Sequence, residues 1–170
     1  MSTTVHQGPL TLGRSLLRSH TRFMHPRLAP NAVTQVMLVD PDVSVLAGLT
    51  MVLNEAPNIH VIATATDRTS ALEAIDVQTD ATIVIARRFP NDDGYRICRA
   101  LKARAPRARC VIHSAASIDE HDVLRSGCTA VVLKQLNSDD LIRTITDLSS
   151  RDLSSRDLSA RDLSAQPPPS

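Results

Sequence analysis

The chain has 170 residues, 42% of them apolar and 22% charged, with a net charge of +1, which suits one ordinary core with extra segments at the ends. Balanced charge gives no general pull toward nucleic acid, and with three aromatics in all (Phe23, Phe89, Tyr95) base-stacking surfaces are excluded as a leading reading. The longest apolar stretches, SVLAGLTMVL and TAVVL, fall far short of the roughly 20 residues a bilayer-crossing helix needs, and the basic start lacks the apolar run and cleavage site of a secretory signal, so the sequence predicts no membrane span and a cytoplasmic protein.

Residues 1–34 form a basic leader, with Arg14, Arg18, Arg22 and Arg27 and no acid. On a helix from Leu10 to Met24 the first three arginines share one face, and Leu12, Leu16 and Phe23 fall opposite. Such a helix can lie on an anionic membrane, a partner or DNA. The plainer alternatives are a disordered leader or a start codon placed ahead of a true start at Met24. A single helix without a second one to seat it in a groove argues against specific nucleic-acid recognition.

From Gln35 to about Leu148 the pattern alternates between two periods. The runs QVMLVD, HVIATA, ATIVIA, CVIHS and AVVLK are rich in Val and Ile and nearly unbroken, which predicts strands of a parallel sheet buried on both faces. Helical patterns separate them. Val45, Leu46, Leu49, Val52 and Leu53 recur at helical spacing, and Leu141, Ile142, Ile145 and Leu148 do so after an N-cap at Ser138 with Asp139 and Asp140 in the first turn. Between the third strand and its helix, TIVIARRFPNDDG reads as a strand and a loop that turns over at Asp93-Gly94. Strand and helix in alternation give an α/β, doubly wound five-stranded parallel sheet, with the active edge at the strands' carboxyl ends. Cys98, Cys110 and Cys128 have no C-x-x-C spacing and fall in predicted helix or strand. They read as small buried apolar residues in a reducing compartment.

Residues 149–170 repeat a five-residue unit, DLSSRDLSSRDLSARDLSA, before three prolines. Leucines five apart gain no continuous apolar side on a helix or a strand. Asp152 stands four before Arg156 and Asp157 four before Arg161, pairs worth about 0.2 to 0.5 kcal/mol each on a helix. The expectation is a solvated tail, either a frayed extension of the last helix or disordered.

Collected at the strand ends are Asp40, Pro41 and Asp42 after the first, Ala86 after the third, Ser114 and Ala115 after the fourth, and Lys134 after the fifth. An acid, a hydroxyl and an ammonium at one edge are the parts of a phosphate site. A nucleophile is missing. No G-x-G-x-x-G or Walker-type loop follows the first strand, which weakens a nucleotide-binding reading, and His113, without a second ligand at metal spacing, reads as a packed histidine.

With VMLVD at the first strand, Gly48 in the first helix, ATATDRTSALEAI, the loop FPNDDG, ALKARAP, HSA, SGCTAVVLK and its final lysine, residues 35–148 resemble the receiver domain of bacterial two-component response regulators, most closely the NarL/LuxR branch. The resemblance implies a flavodoxin-like (βα)5 fold with strand order 2-1-3-4-5. It also implies phosphoryl transfer from a histidine kinase to an aspartate at the end of the third strand, with Mg²⁺ held by that aspartate and an acidic pair after the first. Asp40, Ser114 and Lys134 match that pattern. Three positions depart from it: the phosphoacceptor position, four before Pro90, is Ala86; the second acid of the pair is Pro41; and the switch aromatic, three before Lys134, is Val131.

These losses remove acceptance, metal binding and the relay that reports phosphorylation. The reading is therefore an atypical, non-enzymatic receiver that acts independently of phosphorylation through protein contacts. Mg²⁺ is not expected, Asp40 alone being a weak ligand set. The alternative is a Mg²⁺-dependent acceptor using Asp42, Asp92 or Asp93, although Asp42 and Asp93 also suit helix capping and turn chemistry, Asp40 a pair with Lys134, and Ser114 local backbone bonding. The partners implied are a histidine kinase or another response regulator, with a homodimer through residues 117–148 as a further arrangement. The tail unit LSSRD resembles the opening of the branch's helix-turn-helix output domain, which suggests a transcriptional regulator cut short or decayed.

Overall fold

The computed structural model describes residues 33–76, 79–116, 120–134 and 138–164. The leader, and with it the basic helix expected over 10–24, lies outside them.

Ten elements alternate along the chain: β1 (Thr34–Val39), α1 (Val43–Glu55), β2 (Ile59–Ala65), α2 (Arg68–Ala74), β3 (Thr82–Ala86), α3 (Gly94–Arg104), β4 (Arg109–Ser114), α4 (Glu120–Ser126), β5 (Ala130–Leu133) and α5 (Asp139–Ser164). The five strands form one sheet in the order β2-β1-β3-β4-β5, every pair parallel. This is the flavodoxin-like doubly wound architecture.

Alternation within the strands builds two cores. Met37, Val39, Ile83, Ile85, Cys110 and Ile112 face α2 and α3, meeting Ala71, Ile97, Cys98 and Leu101. The intervening Val36, Leu38, Val84, Val111 and Val132 face α1 and α5, meeting Leu46, Leu53, Leu141 and Ile145. A side-chain period of two in strands covered on both sides makes this division automatic.

The sequence reading of five strands buried on both faces holds for three and is corrected for two. β3 is buried throughout and β4 from its second residue. The outer strands β2 and β5 are only partly covered, and Ile62 and Leu133 are among the exposed large apolar side chains. An outer strand has a neighbour on one side only, so its helices overhang it incompletely. The free edge of β2 is partly closed by α1: the Val61 N–H donates to Asn54 Oδ1 at 2.8 Å.

Short polar side chains start the helices. Asp42 caps α1, accepting from the N–H groups of Ser44 and Val45, and Asp67 forms a reciprocal capping box with Ser70. At Asp93-Gly94 the structure differs from the turn read in the sequence. Asp93 is the N-cap of α3, with Oδ1 accepting from the Tyr95 N–H at 2.8 Å, and Gly94 is the first helical residue. The backbone needs no left-handed residue there; among described glycines only Gly127, after α4, has positive φ, at 68°. Ser138 precedes α5, its carbonyl accepting from the Ile142 N–H, and that helix continues through the repeat to Ser164.

Candidate functional site

Parallel pairing brings the carboxyl ends of β1, β3, β4 and β5 to one edge. They open on a cavity of about 480 Å³ lined by Asp40, Pro41, Asp42, Ala86, Arg88, His113, Ser114 and Lys134, among others. All four residues singled out as Asp40, Ala86, Ser114 and Lys134 are therefore neighbours, although up to 94 positions separate them in sequence.

Asp40 is 5% exposed, and its carboxylate is fully engaged. Oδ2 takes a hydrogen bond from Lys134 Nζ at 2.8 Å, and Oδ1 takes one from the Asp42 N–H at 3.0 Å. A buried carboxylate needs such partners, because desolvation costs several kcal/mol per ion. Ser114 is turned to its own loop: its Oγ donates to the Ala116 carbonyl at 2.9 Å and accepts from the Ala116 N–H at 3.2 Å. Ala86, 4% exposed, closes β3 with a methyl group. Val131, at the switch-equivalent position, is half-buried against the α2/α3 core.

The three substitute carboxylates are each committed elsewhere. Asp42 caps α1. Asp93 caps α3 and forms an ion pair with Arg87. Asp92 accepts from Arg68 Nε at 2.7 Å and from the Asp93 N–H at 2.8 Å, with Arg96 3.8 Å away. Burial pulls the Asp92 carboxyl upward, but the backbone N–H and the two guanidiniums outweigh it and hold it below the usual carboxylate range. A Mg²⁺ ion needs several free oxygens in octahedral array. Asp40 spends both of its oxygens, Pro41 brings none, and the described residues contain no group of three His, Cys, Asp or Glu side chains able to hold a metal. The residues present do not fit the ion.

Two features of the edge escaped the sequence reading. Arg87 lies over the ring of buried Tyr95, its Cζ 4.3 Å from the centroid, while also pairing with Asp93 and, at 3.9 Å, with Asp122 of α4. That arrangement clamps the β3–α3 loop to two helices. His113 is 9% exposed, with Nδ1 buried and without a hydrogen-bond partner. Burial lowers its pKa to about 4, Lys134 lowers it further and Asp40 opposes both. The only sequence signal was a polar ring inside the apolar run CVIHS. Cys98 and Cys110 are buried as expected, whereas Cys128 sits half-buried in the turn between α4 and β5, outside any helix or strand.

The family model of the response regulator receiver domain matches residues 36–146. The DNA-binding transcriptional activator DevR/DosR of Mycobacterium tuberculosis is 28% identical over 120 residues, 69% of this chain and 55% of that protein. A protein-glutamate methylesterase/protein-glutamine glutaminase of Xanthomonas campestris is 33% identical over 121 residues, 64% of this chain and 34% of that protein. The chain thus spans about half of one curated relative and a third of the other. Among solved structures, the signal receiver domain of NarL from Mycobacterium tuberculosis superposes with TM-score 0.61 at 21% identity, covering 69% of this chain and 96% of that one. CheY6 of R. sphaeroides, solved in complex with the P1 domain of CheA3, gives TM-score 0.59 at 22% identity, with 69% and 98% covered. No described helix is long and apolar enough to cross a membrane. Sheet order, the edge that gathers Asp40, Ser114 and Lys134, and the matched model agree: this chain belongs to the response regulator receiver domain family of two-component signalling.

Proposed function

We propose that residues 35–148 act as an atypical receiver, a protein-binding module of a two-component system whose working state does not depend on phosphorylation. The observation that carries this reading is the methyl group of Ala86 at the end of β3, beside an Asp40 already neutralised by Lys134. Without a carboxylate there is no acceptor, and without a second free acid there is no metal to offset charge on phosphoryl oxygens. The domain is read as non-enzymatic; the methylesterase named for one relative belongs to a protein of which this chain covers a third. Its partner is a histidine kinase or another response regulator, in keeping with the receiver held by a CheA3 domain. A homodimer through residues 117–148 would use the same family face. Asp42, Asp92 and Asp93 are poorer acceptors than the family's aspartate, because each already serves a helix end or an arginine.

Acetyl phosphate with Mg²⁺ tests the reading. The unmodified chain is expected to take no label. Ala86→Asp alone gains little, because Pro41 still leaves the metal short of a ligand, whereas Pro41→Asp with Ala86→Asp forms a hydroxylamine-labile acyl phosphate. Circular dichroism of each variant confirms that it is folded. Labelling of the unmodified chain as strong as that of the double variant establishes a substitute acceptor and overturns the proposal.

A further inference from the structure

The cavity above Ala86 retains more chemistry than a disused site requires. Ala86 and His113 are partners in the β3–β4 register, so their side chains leave the same face of the sheet. The His113 ring lines the cavity, and it holds the one buried side-chain nitrogen without a hydrogen-bond partner among the described residues. Buried polar atoms in native proteins are nearly always satisfied, and an orphan of this kind calls for a ligand or an ordered solvent molecule.

Charge narrows the choice. Arg87, Arg88 and Lys134 line the cavity against Asp40 and Asp42, three bases to two acids, which leaves a surplus of one positive charge. Both acids are spent: Asp40 on Lys134 and the Asp42 N–H, and Asp42 on the start of α1. Arg87 is paired with Asp93. Exposed Arg88, at the rim, has neither ion pair nor hydrogen bond from its side chain, and Lys134 uses one of its three ammonium hydrogens on Asp40. A single uncompensated positive charge suits a monoanion better than a dianion such as phosphate. The methyl of Ala86 occupies less room than the carboxylate its family carries at that position.

We propose that this cavity binds a small free monocarboxylate, its oxygens accepting from Lys134 Nζ and the His113 ring above the Ala86 methyl. The inference rests on the reading that β3 ends without a phosphoacceptor. It gives the site a ligand that arrives by diffusion in place of a covalent group. The ring is neutral near pH 7 because burial keeps it so, and it therefore offers one N–H and one lone pair.

Sodium acetate titrated into the full chain at pH 7 and constant ionic strength, followed through the ¹⁵N and ¹H resonances of the His113 ring, tests the proposal. His113→Gln assigns the signal. Saturable shifts are expected with acetate, with sulfate and phosphate at least about tenfold weaker, the loss that follows from one ill-matched charged hydrogen bond. Ala86→Asp supplies a tethered carboxylate in the same place and is expected to abolish the response to acetate. Shifts that stay linear in acetate, or that persist unchanged in Ala86→Asp, overturn the proposal. Equal response to sulfate and phosphate overturns the carboxylate assignment. Labelling of the unmodified chain by acetyl phosphate defeats the parent reading; a missing acetate response without labelling defeats this inference alone.

Discussion

Gly94→Ala is expected to destabilise the domain by about 3 kcal/mol, at the upper end of overpacking costs, seen as a lower urea midpoint at unchanged slope. A Cβ at position 94 would stand 2.2 Å from the Ala86 carbonyl oxygen, 3.1 Å from the Ala86 carbonyl carbon and 3.1 Å from Arg87 Cα. Every one of those atoms is backbone, so no flexible side chain can swing aside. Relief requires α3 to lift away from the end of β3. That motion would stretch the bond from the Gly94 N–H to the Arg87 carbonyl, now 3.0 Å, and pull Asp93 from its place at the start of the helix. Gly48→Ala is the control. A Cβ there meets nothing within 4 Å inside α1, so it is expected to stabilise the chain by about 0.5 to 1 kcal/mol through the unfolded state and helix propensity. If both substitutions shift the midpoint alike, the close approach of α3 to β3 is not the constraint at Gly94.

Acid is expected to weaken the fold through His113. Its pKa falls from an ordinary 6.5 to about 4, chiefly because burial penalises the imidazolium, with Lys134 adding to the effect and Asp40 opposing it. The unfolded chain therefore takes up a proton as pH drops through 6.5, while the folded chain declines it until about 4. Above 6.5 the two states bind equally and the group has no influence on stability. Between the two values the unfolded state binds more protons, so stability falls as pH falls, by up to about 3 kcal/mol once the lower value is passed. Urea midpoints of the unmodified chain and His113→Gln, measured from pH 7.5 to 4, isolate this contribution, since carboxylate effects are common to both. The unmodified chain should lose more stability across that window. Parallel curves would mean that the ring is protonated as easily in the folded chain as in the unfolded one.

What the sequence determined by itself is local. Val- and Ile-rich runs broken by helical periodicity gave five strands and their helices within a residue or two, because backbone preference and side-chain period act over short stretches. The same locality placed Asp40, Ala86, Ser114 and Lys134 at strand ends, and parallel pairing then gathers them at one edge. The identity of Ala86, Pro41 and Val131 needed no coordinates to notice. Tertiary structure alone decided the rest. That β2 and β5 are half-covered follows from their place at the rims of the sheet, a property of strand order and absent from runs such as HVIATA that look as apolar as the central ones. The constraint at Gly94 comes from the Ala86 carbonyl eight positions earlier, where the local text DDG suggested a turn. Arg87 finds Tyr95 and Asp122, and His113 finds Lys134 and Asp40, only after the sheet has closed the distance. Hydrogen-bond satisfaction, charge pairing and steric approach depend on atoms within a few ångströms in space, and in a parallel sheet with crossover helices those atoms come from residues tens of positions apart.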